Sequence, residues 1–159
     1  MTSTPDGPLL ICYDGSDDAK HAIRSAAALL APRRALVVAV WEPIGAFDSF
    51  GFAGETATTV DFVELNRASA EHCAGMANEG ADIARAARLE ADPVAIEATG
   101  PIWKTLIETA ERHDAVAIVM GSRGLTRVRS FLLGSVSNAV VHHSDRPALV
   151  IRRPNRHAA

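Results

Sequence analysis

Five short apolar runs, separated by longer segments with helical periodicity, constrain the fold of this chain more than any other feature. The runs lie at residues 9–13, 35–41, 93–98, 115–120 and 148–151. Each is nearly continuous in apolar residues, which is typical of strands that are buried on both faces. Strands that alternate with helices predict an α/β fold: a doubly wound, five-stranded parallel sheet with right-handed crossovers and helices on both faces.

The first helical segment carries its own start and stop signals. Ser16 is the expected N-cap, and Pro32 is expected to end the helix. Asp17 and Asp18 follow the cap in the first turn, where acidic side chains complement the helix dipole. A general-base or metal-ligand role is the alternative for these two residues, but their helix-terminal position accounts for them more simply.

The second crossover is too long for a simple helix with two turns. It is interpreted as a flexible loop over residues 42–59, followed by one alanine-rich helix over residues 60–89. Gly75 and Gly80 weaken the middle of that helix, so a kink or a break is possible there. The loop contains three phenylalanines, which favour docking of the loop against its own helix over a lid or a partner surface. They are Phe47, Phe50 and Phe52.

Two shorter helices complete the pattern. Pro101 is suited to the N1 position of the third helix, where a missing N–H costs nothing. The fourth helix is expected to begin near Ser135 and to end before Pro147.

Composition limits the classes of protein that this chain can belong to. The 159 residues are 48% hydrophobic and 22% charged, which predicts one packed domain over residues 1–159 with an ordered core of about 8–153. The formal net charge of −3 argues against broad nucleic-acid binding, and the low aromatic content of 5% argues against base-stacking platforms.

Neither the cysteines nor the apolar runs indicate export. Cys12 and Cys73 have no C-x-x-C spacing, and Cys12 lies inside an apolar strand, as a small core residue would. No signal peptide opens the chain and no run has the length of a membrane span, so a reduced, cytoplasmic setting is expected.

A glycine-containing loop between the fourth strand and the last helix has the chemistry of a phosphate cradle. Glycines let main-chain N–H groups approach an anion, and the start of the following helix offers N–H donors without intrahelical partners. Three arginines add cations, and no acidic residue lies between Met120 and Asp145. A merely flexible connection is the alternative. The loop residues concerned are Gly121, Ser122, Arg123, Gly124, Arg127, Arg129, Gly134 and Ser135.

Other strand ends would meet this loop. In doubly wound sheets, ligands bind at the carboxyl ends of the strands, where the strand order reverses. Asp14 follows the first strand and Val40 and Trp41 end the second, so one crevice would hold a carboxylate, an exposed strand end and the cradle. A nucleotide fits this set, with adenine at the second strand, ribose near Asp14 and phosphates on the loop.

The motifs resemble the universal stress protein family over nearly the whole chain. Neither G-x-x-x-x-G-K-[ST] nor a G-x-G-x-x-G after the first strand is present. The sequence instead has L-I-C-Y-D-G-S from Leu10, Gly100-Pro101, a G-x2-G-x9-G-[ST] signature from Gly121, and R-P-A-L-V-I-R from Arg146. The resemblance implies the ATP-binding branch of that family, a Rossmann-like fold with strand order 3-2-1-4-5, and ATP with Mg²⁺ as ligand.

The same resemblance implies a role for each residue that matches the motif. Asp14 would contact the ribose or help to hold a divalent ion, and the main chain at Val40 would meet the adenine. The loop glycines would line the ribose and phosphates, and Gly134 and Ser135 would bind phosphate through N–H groups and a hydroxyl. Valine in place of Gly121 or Gly134 would then abolish ATP binding without loss of the fold. The site residues are Asp14, Val40, Gly121, Ser122, Arg123, Gly124, Gly134 and Ser135.

Two classes of function remain open from the sequence. One is a nucleotide-dependent regulatory protein with an unidentified signalling partner; the other is an enzyme that uses a nucleotide, such as a slow ATP hydrolase. The first is favoured, because no nucleophile–base constellation is found and the adjacent His142 and His143 cannot chelate one metal ion. A stress-linked protein without a ligand is a weaker third option. A homodimer through the exposed edge strand Ala148–Ile151 is also expected, by the family resemblance and because exposed edges are usually paired.

Overall fold

A computed structural model of the chain describes residues 6–44, 62–124 and 133–154. Strands and helices alternate throughout, which confirms the α/β class. The elements are β1 (Leu9–Cys12), α1 (Asp17–Leu30), β2 (Arg34–Trp41), α2 (Phe62–Ala86), β3 (Glu90–Glu97), α3 (Ile102–Arg112), β4 (Ala117–Gly121), α4 (Ser135–His143) and β5 (Ala148–Ile151).

The strands form one parallel sheet in the order β3-β2-β1-β4-β5, as predicted. Leu9 at the start of β1 pairs with Ala35 of β2 on one side and with Ala117 of β4 on the other. The sheet grows in one direction from β1 to β3 and then in the opposite direction from β1 to β5. This reversal leaves a gap above the carboxyl ends of β1 and β4.

Each face of the sheet has its own apolar core, because the side chains of β1 alternate between the two faces. Leu9 and Ile11 pack in a buried cluster with residues of α1 and α2. Leu10 packs on the opposite face in a cluster with residues of α3 and α4. All three are fully buried, at 0% exposure, so helices cover the centre of the sheet on both sides.

The expectation that every strand is buried on both faces is wrong for β3, which is an edge strand. Of its eight residues only Ala91 is buried, and the others are exposed or half-buried; the strand begins at Glu90, earlier than predicted. Pro93 lies within it, paired in register with Val37. An edge strand tolerates proline because one side of its main chain makes no bonds to a neighbouring strand.

The start and stop signals of α1 act as predicted. The Ser16 hydroxyl accepts a hydrogen bond from the Ala19 N–H at 3.1 Å, which caps the helix. The helix ends at Leu30, with Ala31 as the C-cap directly before Pro32.

No break occurs in α2, which runs continuously from Phe62 to Ala86 through both glycines. A Cβ on Gly80 would lie 2.7 Å from Cγ1 of Val37 and 2.8 Å from Cγ of Tyr13. Glycine at this position therefore lets α2 pack closely on the sheet. Gly75 has open space around it, so it makes no such contact.

The two short helices differ slightly from expectation. Pro101 is the N-cap of α3 and not its N1 residue, because its carbonyl accepts the first helical bonds, from the N–H groups of Lys104 (2.9 Å) and Thr105 (3.2 Å). Helix α4 runs from Ser135 to His143 and ends before Pro147, as predicted. Among the described residues, no helix is long and apolar enough to cross a membrane.

Some predictions fall on parts of the chain that the structure does not describe. These are the loop over residues 45–59 with its three phenylalanines, and two of the loop arginines, Arg127 and Arg129. The docking of that loop stays a prediction, as does the boundary of the ordered core.

Candidate functional site

A cavity of about 360 Å³ opens where the strand order reverses. It lies at the carboxyl ends of β1, β2 and β4 and at the first turn of α4. Seven of the eight residues predicted from the sequence line it together with residues that the sequence did not indicate. Ser122 alone of the eight lies outside; the seven that line the cavity are Asp14, Val40, Gly121, Arg123, Gly124, Gly134 and Ser135.

Asp14 lines the cavity and is held in place by the turn that follows β1. Its Oδ1 accepts a hydrogen bond from the Ser16 N–H at 3.0 Å. Gly15 between them has φ +78°, in the left-handed region that favours glycine. The other oxygen, Oδ2, would lie 2.8 Å from a Cβ built on Gly124, so the carboxylate and the glycine loop face each other as predicted.

The main chain of Val40 extends past the end of β1. Strand β1 pairs with β2 only as far as Val38, whose carbonyl accepts from the Tyr13 N–H at 2.9 Å. Main-chain groups of alternate strand residues point to the same side, so the N–H and carbonyl of Val40 also point toward β1. Because β1 has ended there, neither group has a main-chain partner on that side among the described residues. Both are available to a ligand in the cavity.

The first turn of α4 forms a polar part of the cavity wall. Its N-cap, Gly134, has no side chain to accept from the helical N–H groups. This contrasts with α1, where Ser16 performs that role. Ser135, Val136 and Ser137 line the cavity in this first turn. In the described part of the chain, no acceptor is found for their main-chain N–H groups, so the turn presents unpartnered donors and the positive end of the helix dipole to the cavity.

Gly134 itself offers no free donor, which corrects the predicted role. Its N–H donates to the Ser122 carbonyl at 2.8 Å. Gly134 instead provides space, since a Cβ there would meet its nearest atoms, Ser122 O and Ser137 Oγ, at 3.6 Å. The available N–H groups come from the three residues after it.

Ser122 and Ser137 join the two ends of the loop. Ser122 is buried, and its N–H donates to the Ile151 carbonyl of β5 at 3.0 Å. The Ser137 hydroxyl lies 3.3 Å from the Ser122 carbonyl and 3.0 Å from the Gly134 carbonyl, and can donate to either. Ser122 therefore does not reach the cavity, although the sequence placed it in the site, and Ser137 is a positioning residue that the motif did not indicate.

Gly121 is required for a different reason from the predicted one. A Cβ on this residue would lie 2.9 Å from the main-chain carbon of Asp18, at the start of α1. Real structures essentially never contain such a contact, so the absence of a side chain lets α1 pack against β4. The packing therefore predicts that valine at Gly121 would destabilise the fold, contrary to the expectation from the sequence.

Arg123 extends along the cavity wall and pairs with an acidic residue of α1. Its Nε lies 3.4 Å from Oδ2 of Asp18, whose side chain is only 11% exposed. The prediction that Asp18 complements the helix dipole is compatible with its position in the first turn of α1. The ion pair with Arg123 adds a link between that helix and the loop.

The rest of the wall is apolar and comes from both faces of the sheet. Cys12 lies at its base, where burial, with a smaller effect from Asp14, raises the pKa of the thiol far above its usual value. Burial and the carboxylate of Glu79 likewise raise the pKa of Tyr13. Both side chains stay neutral at pH 7. The other wall residues, none of them indicated by a motif, are Ala19, Val38, Met76, Ile102, Leu106 and Met120.

A periodicity signal could have found several of these residues. Cys12 and Met120 end apolar runs, and Ile102 and Leu106 lie on the apolar stripe of the third helix. Met76 had no such signal, because its place at the cavity depends on how α2 crosses the sheet.

The fold and the position of the cavity define an α/β doubly wound protein with a cavity at its switch point, where proteins of this architecture bind ligands. The model of the universal stress protein family matches residues 7–152. The chain belongs to the universal stress protein family.

Individual relatives agree with this assignment. A universal stress protein of Thermus aquaticus is 33% identical over 146 residues, which are 91% of this chain and 97% of that protein. The structure of MJ0577 from Methanocaldococcus jannaschii superposes with a TM-score of 0.75 at 22% identity, over 96% of this chain and 99% of that one. A universal stress protein of Archaeoglobus fulgidus, solved in complex with dAMP, has a TM-score of 0.63 at 22% identity, over 93% and 99% of the two chains. Both structural likenesses support the fold.

Proposed function

We propose that this chain binds ATP in the cavity and acts as a nucleotide-dependent regulatory protein of the universal stress protein family. The observation that carries the proposal is the uncapped first turn of α4, which opens into the cavity. A triphosphate would accept from the N–H groups of Ser135, Val136 and Ser137, as anions commonly do at helix N-termini. The complex of the Archaeoglobus fulgidus relative with dAMP supports an adenine nucleotide as the ligand class.

The remaining parts of the cavity suit the base and the sugar. The free N–H and carbonyl of Val40 form a donor–acceptor pair of the kind that the adenine edge can match. The apolar wall around Cys12, Val38 and Leu106 would cover the faces of the base. Asp14 Oδ2, with its partner oxygen already engaged by Ser16, is free to accept from a ribose hydroxyl.

The donor set also fits Mg²⁺ carried by the nucleotide. Magnesium usually takes one or two protein carboxylates, with phosphate oxygens and water completing the octahedron. Asp14 is the carboxylate that lines the cavity, and the described residues contain no cluster of three metal-ligating side chains. Asp14 would therefore supplement a metal held mainly by phosphates. The magnesium would neutralise part of the phosphate charge.

Regulation fits these residues better than turnover. Rapid hydrolysis needs a base to activate water, and Asp14 is the one carboxylate that the described residues place on the cavity wall, with one oxygen held in a turn. We expect hydrolysis to take minutes or longer per turnover. A rate within the usual enzyme range of about 1–1000 per second would show that the protein is an enzyme.

We also propose a homodimer through β5. This strand lies at the edge of the sheet, and all its residues from Ala148 to Ile151 are half-buried in the single chain. Pairing with a second copy would cover this edge. Sedimentation at micromolar concentration is expected to give a dimer; a monomer would contradict the proposal.

The binding proposal is tested by two measurements on untreated protein. Mass spectrometry of ligand released by heat identifies what is retained on purification, and calorimetry compares ATP, AMP and adenosine with and without Mg²⁺. ATP should bind more tightly than adenosine, because the first turn of α4 contributes only when phosphates are present. Absence of binding by all three ligands, or equal affinity for ATP and adenosine, would refute the proposed site.

A further inference from the structure

Asp18 has two arginine partners, and they belong to different parts of the molecule. Arg123, from the loop that lines the cavity, places its Nε 3.4 Å from Oδ2 of Asp18. Arg153, just after β5, places its Nε 3.8 Å from Oδ1 of the same carboxylate. The Nη1 of Arg153 also pairs with Oδ2 of Asp17 at 2.8 Å. One carboxylate thus lies between the candidate site and the chain segment beyond the edge strand.

Because Asp18 is largely buried, its ion pairs matter for the stability of the fold. Its side chain is 11% exposed, and its Oδ2 makes no hydrogen bond among the described residues. A buried carboxylate that loses its cation is strongly destabilising, because neither water nor another charge compensates it. Arg123 is more exposed, at 34%, and is the cation that the described residues bring to the cavity wall.

Arg123 cannot fully neutralise two anions at once. While it neutralises Asp18, its charge is less available to a phosphate in the cavity. If it turns to a phosphate, Asp18 needs another cation, and Arg153 is the guanidinium already beside it.

We propose that Asp18 is a positioning residue that pairs with Arg123 when no phosphate is bound, and that Arg153 becomes the main ion-pair partner of Asp18 when Arg123 turns to a bound phosphate. The inference rests on the proposed function and deepens it, because it assigns the preference for charged phosphates to an exchange of arginines. Occupancy of the site draws the segment after β5 toward the start of α1. The Ser122 N–H bond to the Ile151 carbonyl at 3.0 Å already joins the loop to the end of that strand.

The test compares neighbouring arginines. Arg153→Gln removes the cation that replaces Arg123, whereas Arg152→Gln removes the same charge one residue away, where no ion pair is found within the described ranges. ATP and adenosine affinities are measured by calorimetry at one salt concentration, and thermal unfolding shows that each variant is folded. Arg153→Gln should weaken ATP binding about fivefold more than Arg152→Gln does. This factor is at the low end of the usual coupling between sites, because Arg123 and Arg153 are both partly exposed. Adenosine affinity should be the same in both variants.

Asp18→Asn gives the opposite expectation. With no carboxylate to hold Arg123, ATP should bind about fivefold more tightly, again with no change for adenosine. In the Asp18→Asn background, Arg153→Gln should no longer weaken ATP binding. In an Arg123→Gln background, Asp18→Asn should no longer strengthen it. A purely structural role of Asp18 would instead lower both affinities together.

Several results would overturn the exchange. Equal ATP affinities in Arg153→Gln and Arg152→Gln would show that Arg153 has no role, and weaker ATP binding in folded Asp18→Asn would show that Asp18 assists Arg123 directly. If Asp18→Asn does not fold, the comparison of the two arginine variants decides. A wild-type protein that binds neither ATP nor adenosine refutes the proposed function and this inference together. If the wild type binds ATP but Arg153→Gln and Arg152→Gln have equal ATP affinities, this inference alone is refuted.

Discussion

Replacement of Gly134 by alanine should separate an effect on the stability of the fold from an effect on the affinity for ATP. Gly134 has φ −60°, which an L-residue adopts without strain. Its Cβ would meet Ser122 O and Ser137 Oγ at 3.6 Å and Arg123 Cα at 3.7 Å, which are ordinary van der Waals contacts. The fold therefore accommodates the methyl group.

The effect on stability should be small. Alanine is a poorer N-cap than glycine by about 0.5–1 kcal/mol. It also reduces the freedom of the unfolded chain, which stabilises by about 0.4–1 kcal/mol. The two terms oppose each other, so the free energy of unfolding should change by less than about 1 kcal/mol.

The effect on ATP should be large if phosphates lie against this turn. The methyl group would fill part of the space between Arg123 and the first turn of α4, and at least one charged hydrogen bond would be lost. Such a bond is worth about 1.5–3 kcal/mol, which raises the Kd for ATP about tenfold to about a hundredfold. Adenosine has no phosphate and should bind as in the wild type.

Calorimetry with both ligands, and urea unfolding, measure these effects. Gly75→Ala is the matched control, because a Cβ on Gly75 would have nothing within 4 Å and Gly75, in α2, does not line the cavity. It should raise stability by about 0.5–1 kcal/mol and leave both affinities unchanged. Unchanged ATP affinity in folded Gly134→Ala, or an equal loss for ATP and adenosine, would refute the cradle at α4.

Four further outcomes are expected. Gly121→Ala should lower the free energy of unfolding by about 1–3 kcal/mol in urea, since its Cβ would lie 2.9 Å from the main chain of α1; unchanged stability would contradict that packing. Ser137→Ala should cost about 1 kcal/mol through its lost hydroxyl bond, and a neutral result would show that the bond does not hold the loop. Cys12 should resist alkylation at pH 8 in the native protein, because burial raises the pKa of its thiol; peptide mapping that finds rapid modification would argue otherwise. The hydrogen bond from Lys20, at 2.7 Å, lowers the pKa of Glu79, so this stabilisation is present above the unfolded pKa of about 4.3 and is lost as pH falls through the lower folded value. Lys20→Met should therefore cost up to about 1 kcal/mol at pH 7 and much less at pH 2, and an equal cost at both pH values would contradict the assignment.

Local patterns accounted for most of the architecture. The apolar runs and helical stripes located every strand and helix in the described ranges, and Ser16 and Pro32 marked the ends of α1 correctly. The first residue of α3 lies one position later than predicted. Pro101 can serve as N-cap or as N1, and the sequence does not distinguish the two. Pro93 was placed in a buried strand because periodicity alone does not show which strand lies at an edge.

The candidate site was predicted less completely than the fold. Asp14, Val40 and the loop glycines do meet at one cavity, since parallel strands bring their carboxyl ends to the same edge. The roles within the loop differ from expectation, because hydrogen bonds inside the protein already engage the Gly134 N–H and both main-chain groups of Ser122. A motif identifies residue types at a spacing; it does not show which of their donors remain free.

The amino-acid sequence by itself determined the alternation of strands and helices, the cap of α1 and the presence of a glycine loop before α4. Those features depend on side-chain periodicity and on neighbours a few residues apart. Only the tertiary structure decided that Gly80 makes room for the sheet, that Gly121 makes room for α1, and that Asp18 lies between two arginines. Such contacts join residues that are distant along the chain, so they depend on how the helices pack across the sheet, which no local pattern contains.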